Sequence, residues 1–208
     1  LIDEPGVSSV GIMRQATLKI REMDPDHFIY SAINQRLQMH ILKEGVDVIG
    51  SDDYPVQHFD TLRSVVIVAR QGRERLINSR AMWNIPQFFD WTCNGYENES
   101  SPTLKQLRHM TFQYIVGGAM GLIYYSYGEM KRTSDKVPIE EEFKKLKTVM
   151  NEVVDEYSPI IMSGLKINPS LVYPRLEDYM CYVRFFRYDG YDYILAVNAW
   201  DTRKIRCK

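Results

Sequence analysis

The chain has 208 residues, 45% hydrophobic and 25% charged, which is ordinary globular composition with apolar mass enough for a sizeable core. Its formal net charge is −1, with Lys and Arg spread along the chain, so no basic field argues for nucleic acid; no apolar run reaches the length of a membrane span. Cys93, Cys181 and Cys207 match no CxxC metal or redox spacing, and three is an odd number for intrachain pairing.

In chain order the pattern alternates between strand and helix. Leu1-Ile2-Asp3-Glu4-Pro5 reads as the end of an apolar strand running into a turn. Ser8 and Ser9 are N-cap candidates for a helix carried by Ile12, Ala16, Leu18 and Ile20, which Asp24-Pro25-Asp26 ends. The aromatic and β-branched run from His27 to Ile33 predicts a strand, followed by a short helix that Gly45 stops. Val46 to Ser51 predicts a buried strand leading into Asp52-Asp53-Tyr54-Pro55. An amphipathic helix is expected from Phe59 to about Ile77, then a strand within Ala81 to Phe89, then a polar loop from Asp90 to Ser101. Pro102-Thr103 opens a helix that Gly117-Gly118 ends, and Met120 to Tyr127 predicts another strand. Pro138 and the acids Glu140, Glu141 and Glu142 mark the first turn of a further helix, expected to run to about Glu156.

The rhythm then changes. Two aromatic runs, Tyr179 to Phe186 and Tyr191 to Val197, flank an Asp189-Gly190 hairpin signal. A boundary near Ser163 to Pro174 divides residues 1–163 from a partial β-rich domain at 174–208. Five strand–helix repeats without an N-terminal glycine-rich phosphate loop fit a parallel barrel better than a dinucleotide fold. The expected fold class is α/β: the C-terminal half of a (β/α)8 TIM barrel, strands four to eight, followed by part of a β-sandwich-like domain. A half-barrel leaves unpaired strand edges, so a missing N-terminal barrel half is expected from the same precursor or from another chain.

Six strings carry a family resemblance. Leu1-Ile2-Asp3-Glu4-Pro5 resembles an LxDEP strand end, and Met23-Asp24-Pro25-Asp26-His27 an LDPxHP turn. Val46 through Pro55 resembles VDVIGVDPYP, and Met82 through Phe89 resembles VWxVPQxF. Pro102 through Thr111 is similar to PTxxELRxMTY, and Gly118 through Tyr127 to GAxGIxYYSY. In this order, over the first 127 residues, they resemble a group of (β/α)8-barrel glycoside hydrolase-like proteins. The resemblance implies a carbohydrate-facing cleft at the C-terminal ends of the strands and leaves the sugar open.

Glycoside cleavage needs two carboxyl groups flanking the bond, one to protonate the leaving oxygen and one to act as nucleophile or base. Glu4 is the acid candidate, because the resemblance sets it at the strand exit where many barrel glycosidases hold their acid/base. Asp52, at the exit of the next-but-one strand, is the second catalytic candidate. Asp3, Asp53, Tyr54, Gln87, Trp91, Tyr127 and Glu129 are the expected substrate-binding set. Asp53 departs from the family string's proline. Gln87 stands where the largest barrel glycosidase clan carries a nucleophilic Glu; an amide cannot serve as a carboxylate nucleophile, although it can bind sugar hydroxyls or orient an N-acetyl group. The alternative reading is therefore a barrel without chemistry that binds glycans or serves as a scaffold. No cofactor and no metal are expected, since His27, His40, His58 and His109 lack HxH or HExxH spacing. Asn98-Glu99-Ser100 is an N-glycosylation sequon, which points toward an extracellular or secretory location.

Overall fold

In a computed structural model of the chain, residues 2–57, 61–77, 79–96, 100–132, 137–163 and 181–198 are described. Leu1, His58, the expected helix start at Phe59, Asn98 and Glu99 of the sequon, the stretch from 164 to 174 and Cys207 lie outside the described residues.

The first strand is β1 (Ile2–Asp3), and α1 (Val10–Met23) follows it. Next come β2 (Tyr30–Ala32), the short α2 (Met39–Leu42), β3 (Val48–Gly50) and β4 (Asp52–Asp53). Then come α3 (Arg63–Leu76), β5 (Ala81–Pro86), α4 (Leu104–Gly117) and β6 (Gly121–Leu122). All these strands pair in parallel. β1 lies beside β2, β2 beside β3, and β5 pairs with β3, with β4 and with β6. β4 resumes the line of β3 after a break at Ser51, so five strand positions follow one another in chain order. The molecule is an α/β protein built on a parallel sheet with intervening helices, as the alternating pattern predicts.

Residue choice explains this packing. Gly50 lies where β3 passes β5: a methyl group there would overlap the Trp83 carbonyl and the Tyr30 hydroxyl. The Tyr30 hydroxyl instead donates to that carbonyl at 3.0 Å. Thr103 caps α4, its hydroxyl accepting from the Gln106 amide at 3.2 Å while the Gln106 side chain accepts from the Thr103 amide at 2.9 Å. Gly118, at φ 110°, ends the helix in the left-handed region. The main core joins Ile33, Ile49, Met82, Leu107, Met110 and Tyr114, all buried.

Two expectations change. The strand foreseen from Met120 to Tyr127 is paired only at Gly121–Leu122, with a single further bridge between Tyr125 and Gln87. The Ser126 hydroxyl then accepts the Glu129 amide at 3.1 Å, and the chain turns into α5 (Tyr127–Arg132). Tyr127 and Glu129 therefore sit on a short helix rather than at a strand tip. The expected helix to Glu156 is α6 (Ile139–Asn151), which continues through a π-helical turn, Glu152–Tyr157, into α7 (Ser158–Met162).

The hairpin is β7 (Cys181–Tyr188) and β8 (Tyr191–Asn198), antiparallel, with Asp189 and Gly190 both at positive φ in the turn. Val197 packs with Val66, Phe112, Ile115 and Val116 in a second apolar cluster, so the hairpin shares a core with α3 and α4. The Arg184 guanidinium donates to the Ile115 carbonyl at 2.6 Å in the last turn of α4. Among the described residues this two-stranded sheet is the whole β-rich part. No described helix is long and apolar enough to cross a membrane.

Candidate functional site

Because the strands are parallel, their C-terminal ends lie along one edge, and the segments leaving them face each other. Glu4 follows β1, Asn34 follows β2, Asp52 and Asp53 form β4, and Trp91 lies beyond β5. These residues, with Tyr54 and Pro55, line one concavity of about 360 Å3. The sheet thus brings together Glu4, Asp52, Asp53, Tyr54 and Trp91 of the sequence-derived set, and it adds Asn34.

Glu4 stands at φ 40°, a left-handed conformation uncommon for a side chain of its size, which turns it out of the strand line. It lines the concavity beside Asp52. Burial, then the negative charges of Asp52 and Asp3, raise the Glu4 pKa above the ordinary 4.5. Burial also raises Asp52. Both carboxyls are therefore held above their ordinary range, chiefly by burial. Asp52 Oδ1 is buried with no hydrogen-bond partner. Burial and the neighbouring Asp52 carboxylate hold the Tyr54 hydroxyl protonated.

Asp53 points to a different task. Its carboxylate accepts from the Ser64 hydroxyl near the start of α3. Asp3 is exposed and contributes its charge to Glu4 and Asp52 without lining the concavity.

Gln87 is fully buried and is not part of the lining. Its Oε1 accepts from the Val56 amide at 2.9 Å; its Nε2 donates to the carbonyls of Phe89 at 3.1 Å and Val56 at 3.4 Å. The Trp91 indole donates to the same Val56 carbonyl at 3.1 Å. The turn carrying Asp52 and Tyr54 is thereby pinned to the segment after β5. Asp90, 5% exposed, accepts from the Thr92 amide at 2.8 Å and caps the turn that carries Trp91.

An aromatic wall adjoins the carboxyl pair. Tyr54 stacks on Tyr125 with ring centroids 5.7 Å apart and meets Trp91 edge-on at 6.3 Å. Trp91 meets Tyr96 at 6.1 Å, and Phe89 packs beneath, 5.1 Å from both Tyr54 and Trp91. Phe88 and Phe89 are core residues at 2% exposure. Tyr127 contacts Phe143 and Glu129 pairs with Arg132, so neither lines the concavity. Sequence reasoning missed Asn34, which has no signal beyond being a polar residue after a strand. Tyr125 falls within the run read as a strand from Met120 to Tyr127 and is not in the expected substrate-binding set, yet its ring stacks on Tyr54 in the wall. Among the described residues no group of three or more His, Cys, Asp or Glu is arranged to hold a metal ion.

No protein-family model matches the chain, and neither the curated proteins nor the solved structures yield a significant match.

Proposed function

We propose that this chain is the C-terminal half of a (β/α)8 glycoside hydrolase-like barrel, and that the concavity binds a carbohydrate for hydrolysis of an O-glycosidic bond. The observation that carries the reading is one concavity at the strand ends lined by two carboxyls, Glu4 and Asp52, together with the rings of Tyr54 and Trp91. A carboxyl group that holds its proton more tightly than usual suits the protonation of a leaving oxygen. Flat aromatic faces beside it suit the apolar C–H faces of sugar rings, and the ring contacts of Tyr54 and Trp91 hold those faces in place. In this reading Glu4 is the general acid and Asp52 its carboxyl partner, with Tyr54 and Trp91 the aromatic faces that receive the sugar.

The barrel itself is part of the proposal. Among the described residues β1 pairs only with β2 and β6 only with β5, which leaves parallel edges that further βα units would complete. Ile12 and Leu18 on α1 are 71% and 64% exposed, an apolar face suited to a neighbouring helix of such a unit. The same reading assigns the protein to the secretory route indicated by the sequon.

Glu4→Gln in the barrel-complete protein tests the acid assignment. Turnover of the cognate glycoside is expected to fall by roughly two to four orders of magnitude, while sugar affinity measured by calorimetry survives. Unchanged turnover sinks the assignment. A second reading, a glycan-binding barrel without chemistry, is favoured by one fact: Gln87 is committed to backbone bonds and supplies no carboxylate. Turnover lost nowhere because there is none, with sugar binding intact, would decide for it.

A further inference from the structure

The rings beside Glu4 do not stop at the edge of the concavity. Tyr54 and Trp91 line it, with ring centroids 6.3 Å apart. From Trp91 the contacts continue to Tyr96 at 6.1 Å, and from Tyr54 to Tyr125 at 5.7 Å. The rings thus follow one another in the order Tyr96, Trp91, Tyr54, Tyr125, and the outer two lie beyond the lining. The inner pair is half-buried, whereas Tyr96 and Tyr125 are 40% and 43% exposed. Phe89 fills the core beneath the row, so the open ends are not needed to close that core. Local backbone sets the end rings in place. Gly95, at φ 87°, turns the chain so that Tyr96 comes back onto Trp91, whose carbonyl accepts the Tyr96 amide at 3.4 Å. Tyr125 is bonded on both sides to the segment leaving β5: its amide donates to the Pro86 carbonyl at 3.1 Å, and its carbonyl accepts the Phe88 amide at 2.5 Å. Rings fixed in this way lose little freedom when a ligand arrives.

Each step along the row is close to the length of a pyranose unit, so the row is too long for a single sugar. The lining sets a second limit. It carries the acids Glu4, Asp52 and Asp53 and, among the described residues, no Lys, Arg or His. Such a wall repels uronate, sulfate or sialate groups and accepts neutral hydroxyls, which Asn34 and the carboxyls can bond. We infer that the substrate is an extended, neutral glycan that crosses the concavity along this row and is cut within its length, with Tyr96 and Tyr125 as outer subsites. This rests on the proposed glycoside hydrolysis and names its substrate class. Cleavage adds one water across one glycosidic C–O bond: the leaving oxygen takes a proton, the anomeric carbon takes hydroxyl, and one chain becomes two shorter ones. Glu4 lines the same concavity as the two inner rings, so ring contacts continue past it in both directions, as an internal cut requires.

The test gives the barrel-complete protein cello-, laminari-, xylo- and manno-oligosaccharides from disaccharide to hexasaccharide, with oligogalacturonates of the same lengths as the charged control. Within the neutral series that is bound, kcat/KM is expected to rise by at least about tenfold from disaccharide to tetrasaccharide, and the first products of the hexasaccharide are expected to be internal fragments. Calorimetric affinity is expected to rise with length in the same way, with oligogalacturonates at least about tenfold weaker. Tyr96→Ala and Tyr125→Ala are each expected to weaken hexasaccharide binding by about three- to tenfold, more than they weaken the disaccharide, and Tyr125→Phe, which keeps the ring, to recover most of that loss. Rates and affinities that do not change with length, a monosaccharide as the first product, or oligogalacturonates bound as well as the neutral chains overturn the inference and leave glycoside hydrolysis standing. Binding that rises with length but brings no turnover overturns hydrolysis and keeps the row as a track for a neutral glycan. No binding of any neutral series overturns both.

Discussion

Glu4 joins a left-handed backbone, a raised pKa and a place at the rim of a cavity. Its raised pKa has a direct consequence for stability. Above 4.5 the unfolded chain releases this proton while the folded protein keeps it, so the folded state binds more protons and stability falls as pH rises through the folded pKa of Glu4. Asp52, also raised, adds a loss of the same sign. Melting temperature is therefore expected to decline from mildly acid toward neutral pH, and Glu4→Gln is expected to flatten the decline; a variant as steep as the parent would count against the assignment. Gln87 tells the opposite story. Gln87→Leu orphans the buried Val56 amide and is expected to cost about 1–3 kcal/mol in chemical denaturation, with a loosened Asp52–Tyr54 turn. The places of Glu4 and Asp52 at strand exits were legible from the apolar runs shortly before them, whereas the acid role of Glu4 came from the family resemblance. The task of Gln87 was not legible, because it depends on the 52–57 turn folding back over β5, a contact 31 residues away.

At the scale of elements, local chemistry decides boundaries that apolar pattern leaves open. The aromatic run after Gly121 has the composition of a strand, yet Ser126 and Glu129 form an S-x-x-E start that draws Tyr127 into a helix. That signal is visible in the sequence, but it competes with a stronger β-like pattern around it. The helix start at Thr103 lies in a stretch with no such competition, and there sequence and structure agree. Thr103→Ala removes one half of the reciprocal cap and is expected to lower stability by about 1 kcal/mol, read as a shift in denaturation midpoint with unchanged slope. A neutral result would mean that packing against α6 holds the first turn without the cap. The breaks in the sheet have their own cause: strand pairing pauses at Ser51, where its hydroxyl accepts from the Asn84 amide at 2.8 Å, and resumes at Asp52. The site acid is thus carried on paired backbone rather than on a free loop.

At the scale of the molecule, the parallel order of strands was legible from the alternation of apolar runs and amphipathic helices, and the hairpin from Asp189-Gly190. How the hairpin docks was not legible, since it turns on Val197 meeting Val66 and Phe112 from helices far earlier in the chain. Val197→Asp puts a charge into that cluster and is expected to destabilise the protein by more than about 2 kcal/mol, with hairpin and helices melting in one transition. Two separate transitions would show that the hairpin contributes nothing to the parallel layer. The Arg184–Ile115 bond carries a further consequence. These partners lie 69 residues apart, so on the ribosome α4 emerges long before the guanidinium that braces its last turn. Until then that carbonyl has the Gly118 amide at 3.1 Å as its partner, and the apolar face around Val116 stays open. The closing hairpin therefore acts as a finishing step, and a nascent chain halted before Arg184 is left with the sticky surface of an unfinished protein.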